Sequence, residues 1–321
     1  MGVLYLLSGG SSIRKDGGRF VIEKDGNIVG RVPLRSLYSV VVGHSANIST
    51  AAVFACIENK VPVFFVNNQG RLIGQVFDES ISVSIIKKQL SLLEKPDRVI
   101  GLAKKLIKEK VTNQYRLLKG YKRTTGGTKI DTVLRKIKVE KRKIEAAKSL
   151  DSLRGIEGIC AKYYFSGVTN LIDGRGWHFK GRSRPAMDPV NALLNFGYSF
   201  LEREVRLAII GQGLDCRIGF FHSSNNLKDS LTFDLMELFR QPVIDRFVLN
   251  LIRLRVYKPR DFYMDMEYGC RLDDGARMLW YGKYENYMNK SYKEYGDLSP
   301  RQMIQNKTAE YKEYMLSNVD C

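Results

Sequence analysis

The chain has 321 residues, 44% hydrophobic and 27% charged, which suits a protein that buries a substantial core and allows two domains. Lysine and arginine number 52 against 34 acids, so 52 − 34 gives a net charge of +18, a field that gathers nucleic acid. An anionic membrane surface would need a basic amphipathic anchor or a spanning segment, and the sequence offers neither. The 5 cysteines are scattered without a Cys-x-x-Cys pair, which argues against a disulfide framework or a zinc knuckle and for a cytoplasmic protein.

Residues 1–85 read as a β-rich domain. The runs 3–7, 19–34, 38–43 and 61–77 are β-branched or aromatic. Lys24-Asp25-Gly26-Asn27 and Asn68-Gln69-Gly70-Arg71 carry hairpin-closing turn chemistry, because their glycines accept positive φ. One helix interrupts the strands over 51–60, capped by Ser49 or Thr50 and ending before Val61-Pro62.

Residues 86–321 read as a larger, all-α domain, so the fold class is α+β with two domains. The period changes to near 3.6, with a break at Pro96 and a long amphipathic segment over 97–120. The loop 122–129, basic and containing Gly126-Gly127, lacks the spacing of a phosphate-cradling P-loop. A helix over 130–150 carries Lys and Arg at nearly every exposed position, so it presents either a solvated face or a phosphate-contacting one. Asp151 or Ser152 then caps a helix running to Phe165. Asp188 before Pro189 starts another, which stops at Gly211 and Gly213. A last long stretch begins near Leu227 and kinks or restarts at Pro242.

Glu157 lies along the apolar stripe of Leu153, Ile156, Cys160, Tyr163 and Tyr164. A lone buried carboxylate is costly, so by position alone it reads as an edge residue meeting solvent or a lysine. His222, one of 3 histidines, ends a glycine-punctuated apolar run and by itself reads as a hydrogen-bonded core residue. Asp234 and Glu237 are three apart and share a helix face beside Leu231, Leu235 and Leu238, where a cation or base would relieve their repulsion. Taken together, one histidine and three carboxylates suit Mg²⁺ or Mn²⁺ better than zinc. In the stretch 175–189, His178, Lys180, Arg182 and Arg184 crowd a loop with Trp177 and Phe179 interleaved. That mixture suits nucleic acid, with aromatics stacking on bases and arginines on phosphates, and equally suits an ordinary basic loop. Arg240, one turn beyond Glu237, could reach a scissile phosphate or neutralise the acids. The tyrosines of 280–296 read as packing plus a solvent face.

These residues, in this order, resemble the CRISPR adaptation integrase family. The resemblance rests on Gly155-Ile156-Glu157-Gly158 with Ala161 and Tyr164-Phe165, then Arg182 and Asp188 through Leu194. It continues with Tyr198, Gly213-Leu214-Asp215, Gly219-Phe220-Phe221-His222 and Ser230 through Arg240. It implies a β domain that dimerises, a helical catalytic domain, and a small ferredoxin-like partner subunit, Cas-two. It also implies insertion of short fragments into a repeat array, on double-stranded and branched DNA, by attack of a DNA 3′-hydroxyl. Glu157, His222 and Glu237 are implied to hold the metal, with Asp234 beside them. Glu237 stands where the family often has Asp, so Asp234 remains open as third ligand. The resemblance requires no nucleotide cofactor. The alternative function is a non-catalytic basic scaffold whose acidic cluster is structural.

Overall fold

The structure, a computed structural model, describes residues 2–67, 70–77, 81–125, 128–172, 176–222 and 229–317. It divides into two compact units, Met1–Ser80 and Ile81–Cys321.

In the first unit, β1 (Gly2–Leu6), β2 (Ser11–Asp16), β3 (Arg19–Lys24), β4 (Asn27–Pro33), β5 (Leu37–Gly43) and β6 (Asn47–Ile48) lead to helix α1 (Thr50–Glu58), followed by β7 (Val63–Val66) and β8 (Leu72–Val76). Two four-stranded sheets result, with orders β1-β5-β7-β8 and β4-β3-β2-β6. The β3–β4 hairpin turns on Asp25 and Gly26 at φ 50° and 81°, as the Asp-Gly pair dictates. The β7–β8 hairpin also forms, although Asn68 and Gln69 of its turn lie outside the described residues. Ser49 caps α1, its hydroxyl accepting from the Ala52 amide. The helix supplies the crossover that lets β5 and β7 pair in parallel. Phe20, Leu37, Val40, Ala52, Ala55 and Val63 lie in the buried core of this unit.

The second unit begins with α2 (Val83–Leu93), α3 (Pro96–Thr125), α4 (Thr128–Lys143) and α5 (Leu150–Ile172). Pro96 starts α3 rather than merely ending α2, because proline at the first helical position forfeits no helical hydrogen bond. Gly126-Gly127 lies outside the described residues. Two expectations about the next helices need correction. The basic helix α4 ends at Lys143, and α5 is capped by Ser149, whose hydroxyl accepts from the Ser152 amide, not by Asp151 or Ser152. Moreover, α5 runs past Phe165 to Ile172, and within that extension Gly167 lets α3 pack closely, since a Cβ there would come within 2.8 Å of Leu118.

Next come α6 (Pro189–Gly211), α7 (Ser230–Met236) and a π-helical turn, Arg240–Asp245, that contains Pro242 and runs into α8 (Arg246–Arg253). Asp188 caps α6, accepting from the Asn191 amide at 2.8 Å. Leu227, the expected start of the long stretch, lies outside the described residues, and α7 itself begins at Ser230. The unit is not wholly helical: strands β9 (Phe262–Asp265) and β10 (Gly269–Leu272) form an antiparallel hairpin. Helices α9 (Asp274–Asn289) and α10 (Pro300–Leu316) complete it. Tyr284 and Tyr287 of the tyrosine-rich stretch are buried, stacked among Phe200, Phe247 and Trp280. Helices α3, α4 and α5 pack together, while α6 packs on α7, the π turn and α10.

No helix among the described residues is long and apolar enough to cross a membrane.

Candidate active site

Glu157 projects from α5 toward α3, where it meets Lys110. The Lys110 side chain is 6% exposed, and its ammonium pairs with Glu157 Oε1 and, at 2.5 Å, with Glu237 Oε2. Glu237 immediately follows α7, and Arg240 donates from Nε to Glu237 Oε1 at 2.9 Å. Burial by itself raises the Glu237 pKa, but the cations Arg240 and Lys110 outweigh it and hold the carboxyl down to about 2. Burial likewise disfavours the Lys110 ammonium, and the two carboxylates more than restore it. Although Glu237 Oε2 is buried, it accepts no well-directed hydrogen bond and is satisfied by charge alone.

Asp234 has a different environment. It is fully buried, and Oδ2 accepts the amides of Phe220 and Phe221 at 2.7 and 3.0 Å. Its Oδ1 accepts the amide of His222 at 2.8 Å and lies 2.7 Å from His222 Nδ1. A carboxylate can only accept, so the ring carries its proton on Nδ1 and leaves the Nε2 lone pair directed away. The His222 side chain is 40% exposed.

This cradle depends on Gly219. A Cβ there would lie 2.6 Å from the Leu231 amide nitrogen and 2.7 Å from Asp234 Oδ2. Ser230 tightens the same turn, accepting from the Gly219 amide and donating to the Arg217 carbonyl. From α5, Arg154 donates to the Phe221 carbonyl at 2.8 Å, tying the histidine-bearing segment to the helix that carries Glu157.

The basic loop divides sharply. Trp177 and Phe179 are buried, packing edge-on against Phe262 and Phe165, so they are core residues and not base-stacking platforms. His178 and Lys180 point outward between them and are exposed. Arg182 spends donors on Asn191 and Asn195 at 2.7 and 2.6 Å, which anchors the loop to α6. Arg184 is exposed, and partial desolvation together with Arg240 and Arg182 pushes its guanidinium pKa down, the mark of neighbouring like charges. Arg182 and Arg240 both lie over Tyr198, at 5.2 and 4.4 Å from its ring centre. The Tyr198 hydroxyl, with that of Tyr164, donates to buried Asp245. The π turn thus sets Arg240 at one end and Asp245 at the other.

Lys110, Arg154 and Asp245 escaped the sequence reading. Lys110 had one visible signal, since it interrupts the apolar stripe Leu106, Ile107, Val111, Leu118 on α3. Such a lysine needs a buried acid partner.

Among the described residues, no group of three or more His, Cys, Asp or Glu is gathered as an ion's ligands are. The Lys110 ammonium instead bridges the Glu157 and Glu237 carboxylates. The donor set nevertheless fits a hard divalent ion. Two carboxylates already face one cation, Glu237 Oε2 is met by charge without directed bonding, and an imidazole has an outward nitrogen. Cys160, one turn beyond Glu157, is a poor candidate, because burial and the acids around it push its thiol up to about 12.

A sequence model of the family described as CRISPR associated protein Cas1 matches residues 4–286. A CRISPR-associated endonuclease Cas1 from Rhodospirillum rubrum is 34% identical over 292 residues, spanning 87% of this chain and 82% of the relative. A solved casposase bound to integration product superposes with TM-score 0.84 at 24% identity, over 100% of this chain and 92% of the other. A chain of a Cas6-RT-Cas1–Cas2 complex superposes with TM-score 0.79 at 23% identity, over 99% of this chain and 36% of that one.

Proposed function

The chain belongs to the CRISPR-associated Cas1 family, and from that premise we propose that it is a DNA endonuclease and strand-transfer enzyme of CRISPR adaptation, acting at Glu157, Glu237 and His222. The observation that carries this reading is the pair of carboxylates from α5 and the end of α7, held face to face across one cation beside an outward imidazole. In the reaction, a DNA 3′-hydroxyl oxygen bonds to a target phosphorus as the P–O3′ bond breaks, and the attacking proton passes to the departing 3′-oxygen. One bond replaces another, so no nucleotide cofactor is consumed.

Glu157, Glu237 and His222 Nε2 would hold a divalent ion, Mg²⁺ or Mn²⁺, which when bound supplies Lewis-acid polarisation of the phosphate. Asp234 fixes the proton of His222 on Nδ1, and with both its oxygens engaged it is a positioning residue rather than a third ligand. Arg240 holds Glu237 ionised. Arg184 is the exposed cation of the arginine group and receives a phosphate of the incoming strand. His178 and Lys180 add electrostatic contacts to the backbone, while Arg182 acts by fixing the loop. In this reading the β-rich unit dimerises, a small ferredoxin-like subunit is the partner, and the protein works in the cytoplasm.

Single replacement of Glu157, His222 or Glu237 by alanine should abolish strand transfer on a branched duplex, with EDTA doing the same to the wild type and DNA affinity largely kept. Normal turnover in all three variants, or chelator-insensitive turnover, would leave the chain a non-catalytic DNA-binding scaffold.

A further inference from the structure

We propose that Lys110 is a built-in competitor for the metal: its ammonium holds the Glu157–Glu237 pair in the metal-free protein and must withdraw from at least one of them when a divalent ion binds. This rests on the metal-dependent reading above and concerns what sets the affinity of that site.

Two observations carry the inference. First, the ammonium forms ion pairs with both carboxylates at once, on the very oxygens Glu157 Oε1 and Glu237 Oε2. An ion bridging the same carboxylates meets a positive charge already there, and at such separations in a poorly solvated site two cations repel strongly. Second, the residue is a lysine on a long α3 helix whose neighbouring contacts are made by other side chains. Asn113 donates to the Leu238 carbonyl at 3.0 Å, and Tyr121 bonds Asn250 at 2.8 Å. The docking of α3 on the 238–250 segment therefore does not depend on Lys110. A four-carbon stem with a rotatable ammonium can swing away, whereas a guanidinium fork cannot leave one carboxylate without breaking its planar pairing.

The arrangement has a purpose. Without a cation, the buried Glu237 and part-buried Glu157 carboxylates would repel one another and splay. With Lys110 present, the ligands keep their spacing in the empty protein. The cost is weaker capture of the ion.

The test is a Mn²⁺ titration of the full-length protein, reading free Mn²⁺ by electron paramagnetic resonance, on wild type, Lys110→Met, Lys110→Arg, Glu157→Gln and the Lys110→Met/Glu157→Gln double variant. Lys110→Met should bind Mn²⁺ at least tenfold more tightly than wild type, and Lys110→Arg no more tightly. Its metal-free melting temperature should fall, and Mn²⁺ should raise it by more than it raises that of wild type. If Lys110→Met fails to fold without metal, folding on Mn²⁺ addition supports competition, and no rescue by Mn²⁺ overturns it. Equal or weaker Mn²⁺ affinity in folded Lys110→Met also overturns it while leaving the metal site intact. Absence of any Glu157-dependent Mn²⁺ binding, in wild type and Lys110→Met alike, would instead overturn the metal-dependent reading and this inference with it.

Discussion

Lys110 and Arg301 are both buried cations in the helical unit, and each faces two carboxylates. Arg301 pairs with Glu204 through two near-parallel bonds, Nε to Oε2 at 3.0 Å and Nη2 to Oε1 at 2.5 Å. Its Nη1 donates to Asn289 at 2.8 Å, and Glu285 stands at 3.3 Å. The planar fork matches a planar acceptor, and the centre ties α10 to α6 and α9. Lys110 is a point charge between two acids from different elements, with Glu237 Oε2 lacking directed bonding and an exposed imidazole alongside. Each cation faces two carboxylates, but the geometry is closed in one case and open to exchange in the other. Buried ion pairs therefore divide into structural and functional ones by how completely their donors and acceptors are matched, not by how strongly they attract.

The largest effect expected from breaking this comparison is at the closed centre. Arg301→Met strands the buried Glu204 carboxylate in the interior, a loss of about 3–5 kcal/mol. The unfolding midpoint should drop by roughly 10 °C, with Mn²⁺ affinity unchanged in the protein that remains folded. A drop in Mn²⁺ affinity with unchanged melting would reverse the assignment of the two centres.

Acid exposes the open centre next. Glu237 is depressed from 4.5 to about 2, so its ionised form contributes stability above pH 4.5 that is lost as the pH falls toward 2. Glu237→Gln should lower the melting temperature near neutrality and close the gap to wild type through that window. Parallel melting curves of the two proteins from pH 7 to pH 2.5 would show that Lys110 and Arg240 do not stabilise the carboxylate.

The difference between matched and exchangeable centres also decides what the sequence could reveal. The Asp188-Pro189 helix start and the Asp25-Gly26 turn were legible because their causes lie within four residues. The parallel pairing of β1, β5 and β7 was not, since strand partners 20 to 40 residues apart leave no local mark. The true end of α5 at Ile172 was not legible either, since Gly167, inside the helix, is explained only by the Leu118 side chain that packs on it from α3. At the site, the blocks around Glu157, His222 and Glu237 pointed to the acids and the histidine. Asp234 could not be separated from Glu237, because three-residue spacing gives both the same helix face, while only the fold sends the amides of Phe220, Phe221 and His222 to Asp234. Trp177 and Phe179 alternate with exposed residues as a stacking surface would, yet they face inward.

Within the site, Asp234→Asn tests orientation as against charge. An amide can still accept from some of the amides but can present its own N–H to His222 Nδ1, which favours the wrong tautomer. Outer carboxylates of this kind are worth about 10–100-fold in activity or metal affinity. The variant should fall in that range, below the loss at Glu157, and Mn²⁺ affinity should weaken in parallel. A loss as complete as that of Glu157→Ala would make Asp234 a direct ligand.

The smallest expected effect lies outside both centres, at Lys180. It is exposed, and no residue of the carboxylate pair touches it, so any contribution is to the field met by DNA. Removing one phosphate contact weakens binding about equally on every sequence and lowers the slope of log affinity against log salt by about 1. Lys180→Ala should do this with melting unchanged to within about 0.5 kcal/mol, whereas Arg182→Ala, which frees Asn191 and Asn195, should lower melting as well. An unchanged salt slope in Lys180→Ala would take the outer half of the loop off the DNA path and leave Arg184 as its phosphate contact.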